Sequence, residues 1–370
     1  RSLHASGLPA HSLEDAMARV WRGLGVEGVV FAEPTLITLA FGAPDDQRVV
    51  LVRVAPDGFD LGRLTRLDRI VDALASREIG ALAGLCRIAA LEASPELWGA
   101  TANVVAHAVV AGSVGLLLGG GLPEALTAGA IGTLIGLLER LARRFTGVAR
   151  VFELAAALAA GFTATWLLPL LGSGSPLIAM AAGLIVLVPG YTLTTALTEI
   201  ATQHLSAGAA RMAAAGGTFL ALAIGVTGGS ALALATGALP VAGGLSPLPI
   251  WAEWSALIAS SLAFAVLFRT QVSDSGWIVA AGVLAHVATV AGADLLGPQL
   301  AGFAGALAVA AFANLFARVL RRPTALILVP GIMMLVPGSM GFRGVALMLQ
   351  GGVVSGLDTA FAAVIVAGSL

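Results

Sequence analysis

Apolar positions follow two different rhythms along the chain. Near the start, the segments VEGVVFA, TLITLAFG and RVVLVRVA alternate apolar residues with a period of two, and Glu33-Pro34 and Ala43-Pro44-Asp45-Asp46 separate them. Alternation between short turn-forming links predicts an antiparallel meander. On either side the rhythm becomes helical. Leu13 to about Leu24 reads as a helix with Ser12 as its N-cap, and Glu14 and Asp15 sit in its first turn, where acidic groups favour the helix dipole. Leu61, Leu64, Leu67, Ile70 and Val71 share one stripe of DLGRLTRLDRIVDALASREIGALAGLCRIAALEAS, which predicts two amphipathic helices.

From Trp98 onward both rhythms give way to long apolar stretches. Ten can be counted, at 99–119, 122–139, 151–171, 176–198, 205–236, 250–268, 276–296, 299–318, 323–342 and 346–369. Each has the roughly 18 to 25 residues that a helix rising about 1.5 Å per residue needs to cross ~30 Å of hydrocarbon. The expected fold is therefore an α-helical integral membrane protein. It has a small soluble α/β unit over 1–97, a first five-helix repeat over 98–245 and a second over 246–370.

Composition sharpens that division. The chain is 58% hydrophobic and 11% charged, against about 45–50% and about 25% in an ordinary soluble domain. Residues 1–97 carry 10 Arg and 13 Asp or Glu, and the remaining 273 positions carry only 10 Arg and 8 acids. With the acidic head in the cytoplasm, Arg140, Arg143, Arg144, Arg150, Arg211, Arg269, Arg318, Arg321 and Arg322 all fall at cytoplasmic ends. Loops on the other side, GGGLP, GSGSP, GALPVAGGLSPLP and ADLLGPQ, carry none, which is the positive-inside pattern. Arg343 is the exception. The lone Cys86 leaves no intrachain disulfide to expect.

Three Val-Pro-Gly triplets interrupt the apolar stretches, at 188–190, 329–331 and 336–338. VLVPGYTLTTALTEIATQHLSAGAARMAAA, from Val186, lies without a gap over MLVPGSMGFRGVALMLQGGVVSGLDTAFAA, from Met334. Trp98 precedes Pro189 by 91 residues and Trp251 precedes Pro337 by 86, so the halves agree in length. Five spans in each half put the second copy into the membrane upside down, the architecture of an inverted repeat. A proline frees the carbonyl four residues before it, near Ile185 and near Met333. An unsatisfied backbone group in hydrocarbon costs several kcal/mol, so such breaks persist where protein or a watery cavity covers them. The half-helix ends then offer partial charge to a zwitterion or carboxylate; the alternative is a kink that serves packing.

The candidate binding residues are therefore Pro189, Gly190, Tyr191, Thr194, Thr195 and Thr198 in the first half, and Pro337, Gly338, Ser339 and Arg343 in the second. The threonines line one helical face, although each hydroxyl can also bond its own backbone one turn back. Arg343 is suited to a bidentate carboxylate contact. Ionisable groups within spans are functional candidates by default: Glu199, Asp358, His286 and His107 are those for proton coupling, while Glu199 can equally cap a membrane end and the histidines can serve as interhelical hydrogen bonders. No Walker loop, metal-spaced His/Cys group or nucleotide fingerprint is present, so no cofactor, metal or nucleic-acid partner is expected.

The opening SGLPAHSLEDAMARV resembles the N-terminal signature of the bacterial threonine/serine exporter family. LVPGYTLTTALTE and LVPGIMMLVPGSMGFRG resemble the signatures of its two membrane halves. The matching positions are Ser6, Gly7, Pro9 and Glu14, then Pro189, Gly190, Thr194 and Glu199, then Pro337, Gly338 and Arg343. The resemblance implies an inner-membrane exporter of threonine and serine, driven by the proton gradient, with ten spans and a cytosolic N-terminal domain. A related two-subunit family is associated with succinate export, so a small carboxylate is an alternative cargo. A membrane-anchored hydrolase built on Ser6, His11, Ser12 and Glu14 is a further alternative, and self-association is left open.

Overall fold

The computed structural model describes residues 1–42, 44–54, 58–239, 248–297 and 300–335. Its N-terminal unit contains α1 (Ser2–Ala5), α2 (Ala10–Leu24), β1 (Gly28–Ala32), β2 (Leu36–Phe41), β3 (Arg48–Arg53), α3 (Leu61–Ala75) and α4 (Ala81–Glu92). The strands form the expected meander in the order β1-β2-β3, both pairings antiparallel, with Val30 opposite Leu39 and Ile37 opposite Val52. Leu13, Ala16 and Val20 of α2 and Leu61, Leu64, Leu67 and Val71 of α3 close the core against Val30, Ala32 and Ile37. The start of α2 corrects the sequence reading: Pro9 is its N-cap, not Ser12. Its φ of −61° is the value the proline ring fixes and its ψ of 158° is the extended setting of an N-cap, and the N–H of Ala10, free at the helix start, finds a partner elsewhere, described below.

The body comprises α5 (Ala100–Leu117), α6 (Leu122–Ala142), α7 (Thr146–Arg150), α8 (Phe152–Leu171), α9 (Pro176–Gly183), α10 (Gly190–Ala201), α11 (Leu205–Ala235), α12 (Ile250–Leu267), α13 (Ser275–Leu296), α14 (Ala301–Leu320) and α15 (Ala325–Leu335). Seven of these, α5, α6, α8, α11, α12, α13 (with the short turn before it) and α14, are long and apolar enough to cross a membrane. The protein is an α-helical integral membrane protein.

The stretch expected as a fourth span, 176–198, is split. α9 ends at Gly183, residues 184–189 form turns closed by Leu187 N–H to Leu184 O at 2.8 Å and Val188 N–H to Leu184 O at 3.1 Å, and α10 restarts after Pro189. The second Val-Pro-Gly behaves differently from the expectation. Pro330 lies inside the continuous helix α15, and Gly331 is where Val309 of α14 packs so closely that a Cβ would overlap it; here the triplet serves packing. The third triplet and the last span, with Pro337, Gly338, Ser339, Arg343 and Asp358, lie outside the described residues.

Small residues let the long helices approach closely, as membrane helix packing favours. A Cβ on Gly161 would overlap the Val226 carbonyl, and one on Gly229 that of Leu158, so α8 and α11 meet backbone to backbone. Gly132 and Gly136 do the same for α6 against His107 and Val104 of α5. That contact brings a histidine beside the charged end of α6.

Candidate functional site

A cavity of about 300 Å³ lies where the break meets the end of the described chain: Val186 and Leu187 come from the turn between α9 and α10, and Met333 from α15. Its other walls are Asn103 and His107 of α5, Glu139 and Arg143 at the end of α6, and Phe264, Phe268 and Arg269 at the end of α12. Gly58 and Phe59 of the N-terminal unit complete it. Phe59 stands edge-on to Tyr191, ring centroids 4.7 Å apart, and to Phe268 at 5.8 Å. The volume is at the small end of the ~300–1,000 Å³ typical of small-molecule sites.

The polar groups of this cavity form a ladder. His107, 4% exposed, sets Nδ1 against the Asn103 carbonyl at 2.9 Å and Nε2 against Glu139 Oε2 at 3.4 Å. Arg143 donates to Glu139 Oε1 at 2.7 Å and to Glu96 Oε1 at 3.1 Å. Arg269 then faces Glu96 at 3.5 Å and Asp60 at 3.8 Å, and Asp60 also faces Arg63 at 3.8 Å. Asn103 Oδ1 is buried and has no hydrogen-bond partner among the described residues. Cationic donors and acceptors thus share one small space, the arrangement that can hold both ends of a zwitterion.

The N-terminal unit is fastened across the same ends. The Leu61 N–H donates to the Phe268 carbonyl at 2.9 Å, Trp98 Nε1 donates to the Thr270 carbonyl at 3.0 Å, and Gly62 is where the Arg269 carbonyl comes closest. On the other flank Glu199, wholly buried, accepts the Ala10 N–H at 3.1 Å and pairs with Arg211 at 3.0 Å. A carboxylate at the start of α2 is favoured by the helix dipole and by the unused N–H groups there. His204 Nε2 faces Glu14 Oε2 at 3.1 Å, its ring 6.2 Å from that of His11. Burial, the leading cause, holds the His4 and His11 imidazoles below their ordinary pKa.

Of the residues expected at the site, Tyr191, Thr194, Thr195 and Thr198 line a second cavity of about 160 Å³, bounded by Pro9, His11 and Ser12 and by Thr324, Leu328 and Ile332. The Thr194 and Thr198 hydroxyls donate to the carbonyls of Gly190 and Thr194, one turn back. Pro189 and Gly190 form the junction of the break. His107 is in the larger cavity. His286 faces Glu253 at 3.4 Å, and Trp254 edge-on, away from both cavities. Ser6, a candidate for hydrolysis, donates its hydroxyl to the Ser2 carbonyl.

Sequence reasoning passed over Glu139 as a cavity group, and read Arg143 and Arg269 only as orientation signals. A usable signal was present: Asn103 and His107, and Glu139 and Arg143, are two pairs spaced one helical turn apart. Among the described residues no cluster of three His, Cys, Asp or Glu side chains is placed to hold a metal.

An uncharacterized protein of Schizosaccharomyces pombe is 25% identical over 97% of this chain and 48% of its own length. The pheromone-regulated membrane protein 10 of Candida albicans is 26% identical over 97% of this chain and 33% of its own. A Mycobacterium tuberculosis protein named "Probable threonine/serine exporter" is 28% identical over 84% of this chain and 61% of its own. The chain thus spans about a third to three fifths of the length of these relatives. No solved structure matches. The profile of the threonine/serine exporter family matches residues 1–233, and a second threonine/serine exporter profile matches residues 254–370. The chain belongs to the threonine/serine exporter family.

Proposed function

We propose that this protein is a secondary exporter of small hydroxy amino acids, threonine and serine, driven by the proton gradient across a bacterial inner membrane, with its N-terminal unit in the cytoplasm. The observation that carries the reading is the cavity of about 300 Å³ at Val186, Leu187 and Met333, in which carboxylate, guanidinium and amide groups converge. Transport rather than catalysis is its task. The substrate carboxylate meets Arg143 or Arg269, and its ammonium meets Glu139 and Asn103.

The transport cycle exchanges two inverted halves around this cavity. α9 packs on α5, α6 and α8, as α15 packs on α12, α13 and α14, and α5 packs on α12. A buried carboxylate opens the second helix of each half: Glu124 accepts the Ser175 N–H at 2.8 Å just before α9, and Asp274 accepts from Arg322 just before α15. The two ties sit at opposite ends of the helices, as inversion requires. Arg143, Arg211, Arg269, Arg321 and Arg322 all lie at the end nearest the N-terminal unit, which supports a cytoplasmic location for that end.

Proteoliposomes with an imposed pH gradient test the reading: labelled threonine or serine should accumulate, and absence of gradient-dependent flux for both removes it. The pair Arg143 and Arg269 in one cavity also favours a dicarboxylate such as succinate as a second reading. Competition by excess succinate against excess serine separates the two cargoes.

A further inference from the structure

His107 occupies a setting that asks for a proton. A backbone carbonyl only accepts hydrogen bonds, so the Nδ1 that faces the Asn103 carbonyl at 2.9 Å carries a hydrogen. The neutral ring then presents a bare lone pair on Nε2, and what it meets at 3.4 Å is another acceptor, Glu139 Oε2. Two acceptors in contact are satisfied by one proton between them. Arg143 holds Oε1 of the same carboxylate at 2.7 Å, which leaves Oε2 turned to the histidine.

We propose that the His107–Glu139 pair is the proton-binding group of the transport cycle, and that the ammonium of a zwitterionic substrate displaces the proton it holds. This rests on the exporter reading above. Once the proton leaves, His107 Nε2 and Glu139 Oε2 both stand as bare acceptors 3.4 Å apart on the cavity wall. A primary ammonium has three N–H donors. With the proton in place one acceptor is lost, so proton and ammonium exclude each other, the condition for antiport. The Nε2–H bond breaks as an O–H bond forms on a cavity water that carries the proton away, and a substrate N–H then donates a hydrogen bond to the vacated lone pair. The charged groups around the pair, Arg143 and Glu96, then Arg269, Asp60 and Arg63, are engaged with one another.

The test uses the full chain. In weakly buffered detergent solution with a pH-sensitive dye, threonine should release protons from the wild-type protein and succinate, which has no ammonium, should not. In proteoliposomes a pH gradient of one unit should drive accumulation of labelled threonine up to about tenfold per proton exchanged. His107→Gln should release no protons and show no accumulation with or without the gradient, and Glu139→Gln should do the same, standing in should the first variant melt early. Full gradient-driven accumulation and proton release in a folded His107→Gln protein overturns the assignment while leaving the exporter reading intact. Failure of the wild-type protein to move threonine at all overturns the exporter reading itself.

Discussion

Glu199 and Ala10 are 189 residues apart in sequence and 3.1 Å apart in space, the side-chain carboxylate of one accepting the backbone N–H of the other. The contact locks α2 of the N-terminal unit onto the end of α10, and Arg211 completes it from α11. The N-terminal unit is therefore seated on the broken helix itself. Removing the charge should be costly, because a buried guanidinium partner is left behind, typically at about 3–5 kcal/mol; Arg211 keeps some exposure, so the lower end applies. Glu199→Gln should lower the melting temperature in detergent and speed proteolysis between the unit and the body. Unchanged values in both would mean that the contact does not hold the unit in place.

Acid should loosen the same seam. Burial keeps the His4 and His11 imidazoles below the ordinary 6.5, with Arg211 pushing His4 further down and Glu199 opposing on both. For a base whose folded value is depressed, the unfolded or undocked chain takes up protons first as pH falls. The stability these residues allow is therefore complete above 6.5 and is lost as pH drops from there towards the lowered folded values. Proteolytic release of the N-terminal unit should rise across that interval, and His11→Gln should flatten the rise. A release rate independent of pH below 6.5 would contradict the assignment.

Adjacent glycines in α11 give a contrast free of chemistry. A Cβ on Gly229 would overlap the Leu158 carbonyl of α8, whereas a Cβ on Gly228 would meet nothing within 4 Å. Gly229→Ala should therefore destabilise by about 1–3 kcal/mol through overpacking. Gly228→Ala should be neutral or stabilise by about 0.5–1 kcal/mol, since alanine is the better helix former. Equal melting shifts for the two would show that α8 and α11 do not meet where their backbones are placed.

The fold was largely legible because its signals are local. Alternation marks β1 to β3 within a residue or two of each end, and apolar length marks the seven long helices. The break at Pro189 was legible too, since proline removes a donor wherever it stands. The same triplet at Pro330 was not a break, because whether a helix yields depends on its neighbour, here Val309 against Gly331. The cavity was the least legible part. Which helix ends converge is set by tertiary packing, so Glu139 and Arg143 looked like the charged end of a span. The threonine stripe was visible as a stripe, but its facing towards Pro9, His11 and Ser12 depends on where the N-terminal unit docks.

Phe59 brings an aromatic ring of the N-terminal unit to the wall of the larger cavity. It lines that cavity, and its ring sits edge-on to Tyr191 of the broken helix and to Phe268 at the end of α12. Such aromatic pairs are worth about 0.5–1.5 kcal/mol each beyond the area they bury. The ring therefore couples the seat of the N-terminal unit to the mouth of the cavity, and its removal should expose what lies behind it. Asn103→Cys in a Cys86→Ser background places a thiol on that inner wall and removes the exposed native cysteine. Modification of this thiol by a small cationic thiosulfonate should be slow, and adding Phe59→Ala should accelerate it severalfold, while a thiol at Gly228, remote from the cavity, reacts alike in both backgrounds. An unaltered rate at position 103 would mean that solvent reaches the cavity by a route Phe59 does not control.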